Sequence, residues 1–172
     1  EVVPNRENIP SKPHKRIIKD VENVPYPEKL IVPFIDTVHN RVVLELFRGC
    51  TRGCRFCQAG MIYRPIREKS VERLKEIVDK LVKSTGYDEI SLSSLSTSDY
   101  SKLSELTDYL VDEYASNNIG ISLPSLRLDN FSMEIAEKIQ QVRKSGLTFA
   151  PEAGTQRLRD VINKGVSEED LQ

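Results

Sequence analysis

The chain has 172 residues, one domain's worth, and its 25 lysines and arginines nearly cancel its 26 aspartates and glutamates. That balance excludes the overall charge footprint of a nucleic-acid- or membrane-binding protein. With no long apolar run, no signal peptide, no lipidation motif and only three cysteines, the expected setting is the cytoplasm, where thiols stay reduced.

In chain order, residues 1–40 come first. They hold six of the nine prolines (Pro4, Pro10, Pro13, Pro25, Pro27, Pro33) and no helical period, which predicts an extended arm or interdomain linker. There is no initiator methionine, as expected of a piece excised from a longer protein. From residue 41 the pattern becomes strand then helix, repeated to residue 172. Val42 to Phe47 is a β-branched-rich apolar run bounded by Gly49. Ser70 caps a predicted helix with Val71, Leu74, Ile77, Val78, Leu81 and Val82 on one face, closed by Gly86. Glu89–Ser93 is the second strand, and Asp99 opens the second helix. Ile119–Leu123 is the third strand, followed by a helix capped by Ser132 and stopped at Gly146. Leu147-Thr148-Phe149-Ala150 is the fourth strand, followed by a helix capped by Thr155 and ended by Gly165. Another helix begins near Ser167.

All three cysteines sit in the loop after the first strand: Cys50-Thr51-Arg52-Gly53-Cys54-Arg55-Phe56-Cys57. That spacing is expected to bring three soft ligands to one point, which suits an iron–sulfur cluster or zinc. Three ligands leave one position of a tetrahedral zinc or a four-iron cluster open, and an open position is where chemistry happens. A structural zinc knuckle would need His14 or His39, and neither has zinc-finger spacing. Arg41, Arg48, Arg52, Arg55, Arg64 and Arg67 surround the loop in sequence, with Glu45 the one acid among Arg41 to Arg67. They either compensate an anionic centre or meet a phosphate-bearing substrate such as RNA; the overall charge favours compensation.

Strand–helix alternation argues for a parallel sheet with right-handed crossovers, either doubly wound or curved into a barrel. No Gly-x-Gly-x-x-Gly follows the first strand, so the dinucleotide fold lacks support. In barrels of this kind the site lies at the C-terminal strand ends. Those ends carry the cysteine loop, the hydroxyl cluster Ser93 to Ser98 with Ser94 and Ser96, the segment with Arg127, and the segment with Glu152. Hydroxyls, a guanidinium and a carboxylate suit an amino-acid moiety and a ribose. Each also has a plain alternative: turn and cap serines, an ion-paired arginine, a carboxylate favourable to a helix N-terminus.

Cys-x-x-x-Cys-x-x-Cys with an aromatic residue, Phe56, before the last cysteine resembles the signature of the radical S-adenosylmethionine (radical SAM) enzymes. The resemblance implies a 4Fe–4S cluster on Cys50, Cys54 and Cys57, with S-adenosylmethionine chelating the fourth iron. It implies one-electron cleavage to a 5′-deoxyadenosyl radical that abstracts hydrogen from an unidentified substrate, and hence an electron donor as partner. It places Phe56 against the adenine, Glu152 at the ribose, and Ser93-Ser94-Leu95 where the family often carries Gly-Gly-Glu for the methionine amino group. Ser94, Ser96 and Arg127 complete the expected S-adenosylmethionine contacts. The stretch from Arg48 to Pro65 is similar to a branch of uncharacterised radical SAM proteins with an N-terminal cobalamin-binding domain; Pro151 to Leu158 and Asn163-Lys164 are more distantly similar to the tRNA methylthiotransferases. Cobalamin is expected only through a domain absent from this chain.

The implied fold is a partial (β/α) barrel of parallel strands, with four strand–helix units of a six-unit radical SAM core over residues 41–172. Such a fragment is expected to be inactive alone. Its apolar fourth strand, an uncovered edge, is expected to be masked by the arm, a second copy or a crystal neighbour, a homodimer foremost. Two other readings stand beside this one: a zinc-binding interaction module, and an electron-transfer iron–sulfur domain.

Overall fold

The computed structural model describes residues 3–12 and 14–172; of the arm, Glu1, Val2 and Pro13 lie outside the described residues. Three parallel strands form the central sheet: β1 (Val42–Glu45), β4 (Glu89–Ser93) and β5 (Gly120–Ser122), in the order β1-β4-β5. The register pairs Val42 with Ile90, Glu45 with Ser93, and Ile90 with Ile121. Between β1 and β4, in chain order, come β2 (Phe47–Arg48), α1 (Gln58–Ile62), β3 (Arg67–Glu68) and α2 (Val71–Thr85). After β4 come α3 (Leu103–Tyr114), then β5, α4 (Met133–Val142) and α5 (Gln156–Val161).

Strand period and helix period explain the packing. Val42, Leu44 and Leu46, Ile90 and Leu92, and Ile121 point to one face and are at most 1% exposed. They form one core with Leu74, Val78 and Leu81 of α2, Leu106 and Leu110 of α3, and Ile135 and Ile139 of α4. The alternate positions, Val43, Glu45, Ser91, Ser93 and Ser122, face the other way, so that face is polar toward its upper end. α2 follows the sequence expectation closely: Ser70 caps it by accepting from Arg73 N at 3.0 Å, and Gly86 ends it at φ +70°.

The expected fourth strand is not formed. Leu147–Ala150 makes one parallel bridge, Phe149 to Leu126, so the described sheet has three parallel strands in sequence order. The cause lies just beyond β5, where Pro124 has no N–H to donate and Ser125 sits at φ +59°, which turns the chain out of the ladder. Phe149 instead packs edge-to-face on Phe131 at 4.7 Å between ring centres. The second helix begins at Leu103 and not at Asp99, because the Asp99 carboxylate is turned to Ser96 and Arg52. α4 stops at Val142, ahead of Gly146, where the extended Arg143 pairs with Asp88 at 3.0 Å. α5 stops at Val161, ahead of Gly165, and Glu169–Leu171 forms only a 3₁₀ turn.

The arm docks on the β1 side of the sheet. Tyr26 donates to Val43 O at 2.7 Å, Val21 is 3% exposed, and Glu22 accepts from Ser70 N at 2.8 Å and from the Ser70 hydroxyl. It therefore lies along β1 and the start of α2, at the opposite edge from Leu147–Ala150. The antiparallel pair β2–β3 (Phe47 with Glu68, Arg48 with Arg67) was too short for sequence reading and closes the base of the cysteine loop.

Candidate functional site

The loop Gly49 to Cys57 leaves the C-terminal end of β1 and turns over the ends of β4 and β5. Its entry needs glycine: Gly49 has φ +101°, and a Cβ there would stand 2.5 Å from Pro65 O and 2.7 Å from Tyr63 O. All three cysteines are free and half-buried. Cys57 caps α1, its sulfur accepting from Gly60 N at 3.4 Å. The Cys54 sulfur accepts from Arg127 Nη1 at 3.7 Å. Among the described residues no group of three Cys, His, Asp or Glu side chains is drawn together as metal ligands, and two of the sulfurs are turned to separate N–H donors. The donor chemistry fits a thiolate-held cluster: three thiols stand in one short loop, Arg127 reaches the Cys54 sulfur, and both N–H contacts are of the kind a metal-bound thiolate retains.

A clasp of long-range polar contacts fixes this loop. Arg52 Nε donates to Asp99 at 2.7 Å, its Nη2 also reaches Asp99, and its Nη1 donates to Asp129 at 3.1 Å. Ser96 and Asn130 donate to Asp99 at 2.6 and 3.0 Å. From the far end, Asn163 Nδ2 donates to Gly53 O at 2.9 Å and Arg55 N donates to Ile162 O at 2.9 Å. Burial pushes the Asp99 carboxyl up, but Arg52, Ser96 and Asn130 outweigh it and hold the group down at about 2. The Arg52 guanidinium is raised in turn, chiefly by its hydrogen bond to Asp99.

This clasp carries a pH prediction. The Asp99 carboxyl is lowered from an ordinary 3.8 to about 2, so its stabilisation is complete above the ordinary value and is lost as pH falls through about 2. Asp99→Asn is expected to cost about 2 kcal/mol at neutral pH, as for a charged hydrogen bond, and to flatten the acid end of the stability profile. Urea unfolding across pH checks this; an unchanged acid limb in the variant would contradict it.

Ser94 lines a cleft and shares a hydrogen bond with Thr97 at 3.1 Å. Ser96 is 1% exposed with its hydroxyl committed to Asp99. Arg127 is buried; it donates to Asp129 through Nε and Nη2 at 2.9 Å each, and to Lys164 O. Phe56 is exposed, at 54%. Glu152 sits at φ +68° and pairs with Lys164 at 3.2 Å. The cleft, about 530 Å³, opens at the ends of β1 and β4 and is lined by Glu45, Phe47, Arg48, Gly49, Ser93, Ser94 and Leu95, by Tyr63 and Arg67 beyond the cysteine loop, and by Lys15, Arg16 and Ile18 of the arm. Asp99, Asp129 and the arm residues carry no local motif. Their only signal in the sequence is the excess of arginine around the cysteines, which calls for distant acids.

Among the described residues no helix is long and apolar enough to cross a membrane. A sequence model described as the Radical SAM superfamily matches residues 44–172. The chain is 36% identical over 129 residues, 75% of its length, to "Uncharacterized protein MJ0966" of Methanocaldococcus jannaschii, of which it covers 28%. It is 29% identical over 137 residues, 74% of its length, to "Putative methylthiotransferase MJ0865" of the same organism, of which it covers 30%. The chain thus spans less than a third of either relative. The superfamily match runs from the middle of β1 through the cysteine loop and every later element, and by it the chain belongs to the radical SAM superfamily.

Proposed function

We propose that this chain is the cofactor-binding part of a radical SAM enzyme and that its sheet is the first part of a partial barrel. The observation that carries the reading is the cysteine loop standing at the C-terminal end of the first parallel strand, within the matched superfamily span. Helices packed on one sheet face, where a doubly wound sheet carries them on both, support a barrel. When bound, a 4Fe–4S cluster and S-adenosylmethionine supply a 5′-deoxyadenosyl radical for hydrogen abstraction from a substrate.

The chain's own residues then hold and orient. Cys50, Cys54 and Cys57 are the ligands. Arg52, fixed by Asp99 and Asp129, keeps the loop backbone in place. Arg127 places a positive charge and an N–H at the Cys54 sulfur, so its part is toward the ligand as well as the rim. Phe56, exposed beside Cys57, is free to meet an adenine face. The Ser93–Ser94 end of β4 offers hydroxyls and main-chain carbonyls to an amino group. A one-electron donor is the required partner.

Glu152 is the most direct test of the ligand side. A non-glycine residue at φ +68° carries backbone strain, and such strain gathers at binding sites. Glu152→Gly relieves the strain and removes the carboxylate. It is expected to weaken S-adenosylmethionine binding by about 1.5–3 kcal/mol, as for a charged acceptor, with iron content and melting temperature not lowered. Calorimetric titration of reconstituted protein measures this; unchanged affinity would return Glu152 to its pairing with Lys164 alone.

A further inference from the structure

Three of the six arginines around the cysteines have carboxylate partners; among the other three, Arg55 donates to Val161 O, and neither Arg55 nor Arg64 lines the cleft, whereas Arg67 does. Arg41 pairs with Glu89, Arg48 with Glu45, and Arg52 with Asp99 and Asp129. Charge compensation accounts for these. Among the described residues Arg67 has no carboxylate partner; it donates to three carbonyls, Pro65 O at 3.0 Å, Ile18 O at 3.0 Å and Tyr63 O at 3.2 Å. It thereby ties the arm to the segment after the cysteine loop.

The arm adds two more cations at the same place. Lys15 Nζ donates to Arg64 O at 3.4 Å and lies 5.7 Å from the Tyr63 ring centre; Arg16 is exposed beside it. Among the described residues Lys15, Arg16 and Arg67 have no acidic partner. All three line the cleft of about 530 Å³. Its one carboxylate, Glu45, is already held by Arg48 at 2.8 Å and by the buried Lys69 at 2.8 Å. The cleft therefore keeps a concentrated positive charge in a concave site beside apolar and aromatic walls (Ile18, Phe47, Tyr63, Leu95), a combination that favours an organic anion over solvent.

We propose that this cleft binds a phosphate-bearing substrate and that the proline-rich arm is part of the binding site, through Lys15 and Arg16. Calling the ligand a substrate rests on the radical SAM reading; its binding does not. Several separated cations without acids match the several oxygens of a phosphate ester better than one carboxylate. The arm is then the wall that sets what enters the cleft, and not a passive linker.

The test uses the whole chain without a cluster, so that it stands apart from the radical SAM reading, which iron content and S-adenosylmethionine titration assess separately. Two probes are titrated: inorganic pyrophosphate, and a fluorescein-labelled unstructured oligoribonucleotide. Binding of pyrophosphate alone identifies a small phosphate ester as the source. Binding of the oligoribonucleotide, with pyrophosphate competing, identifies nucleic acid. With either probe the Lys15→Ala/Arg16→Ala variant is expected to bind at least tenfold more weakly, and Lys144→Ala, an exposed cation outside this cleft, to bind as the unaltered chain does. For the oligoribonucleotide the salt slope of log K should fall by about 1.4, two contacts at about 0.7 each. Circular dichroism checks that the double variant is folded, as the exposure of both residues predicts. Failure of the unaltered chain to bind either probe, or equal losses in the double variant and Lys144→Ala, would overturn the proposal.

Discussion

Replacing Cys54 by alanine is expected to leave the reconstituted protein without its cluster. The chain holds only three cysteines, all in one loop, so two thiolates would remain, and two do not keep a cubane from solvent. The protein itself should stay folded. Cys54 is half-buried and outside the core, and the loop is fixed by Arg52 to Asp99 and Asp129 and by Asn163 to Gly53. Iron analysis and visible absorption should fall to background while the unfolding midpoint changes little. Cys57→Ser makes a useful companion, since a serine keeps the cap on α1 that Cys57 provides through Gly60 N. It should lose iron with no loss of helix. Full iron content in Cys54→Ala would mean that the cluster is held elsewhere.

Gly49→Ala is expected to be the most destabilising single substitution at the site. Two costs combine: the backbone strain of a non-glycine at φ +101°, about 1–3 kcal/mol, and overpacking, about 1–3 kcal/mol. The overpacking is severe because both close atoms, Pro65 O and Tyr63 O, are backbone and cannot swing away. Relief requires moving β3, which pairs with β2 and carries the Arg67 contacts to the arm. Gly86→Ala is the matched control: φ is +70° there, but nothing lies within 4 Å of the added carbon. It should cost about 1 kcal/mol from the backbone alone. Urea unfolding of both variants gives the comparison, and equal losses would show that the close approach at Gly49 is unimportant. Iron loading of Gly49→Ala should fall as well, because the displaced backbone carries Cys50.

What the sequence made legible follows the range of the interactions involved. α2 could be read to the residue because its cap at Ser70, its apolar spacing and the left-handed stop at Gly86 are all local. β4 was legible for the same reason. Leu147-Thr148-Phe149-Ala150 has strand composition, but a strand needs a partner, and the turn at Ser125 removes the partner's edge. No pattern within four residues reports that. The superfamily was legible in the cysteine loop because the spacing of the three cysteines is written in the chain. The loop's clasp was not, since Arg52 finds Asp99 and Asp129 at separations of 47 and 77 residues. For Ser96 and Arg127 the sequence leaves a ligand contact and a plain turn, cap or ion-pair role side by side. Folding commits the Ser96 hydroxyl to Asp99, and most of the Arg127 donors to Asp129, Lys164 O and the Cys54 sulfur. The arm read as a linker because proline-rich composition speaks of extension; its docking through Val21, Glu22 and Tyr26 depends on surfaces formed elsewhere.

Electron paramagnetic resonance can decide whether Cys50, Cys54 and Cys57 hold a cluster with a position open to S-adenosylmethionine. The measurement uses anaerobically reconstituted, chemically reduced protein, recorded before and after addition of S-adenosylmethionine, with metal content determined on the same sample. Iron is expected at the stoichiometry of one four-iron cluster per chain, with a reduced-cluster signal that changes when S-adenosylmethionine occupies the open iron. Zinc without iron would contradict this expectation in favour of an interaction module, and a cluster signal indifferent to S-adenosylmethionine would contradict it in favour of simple electron transfer.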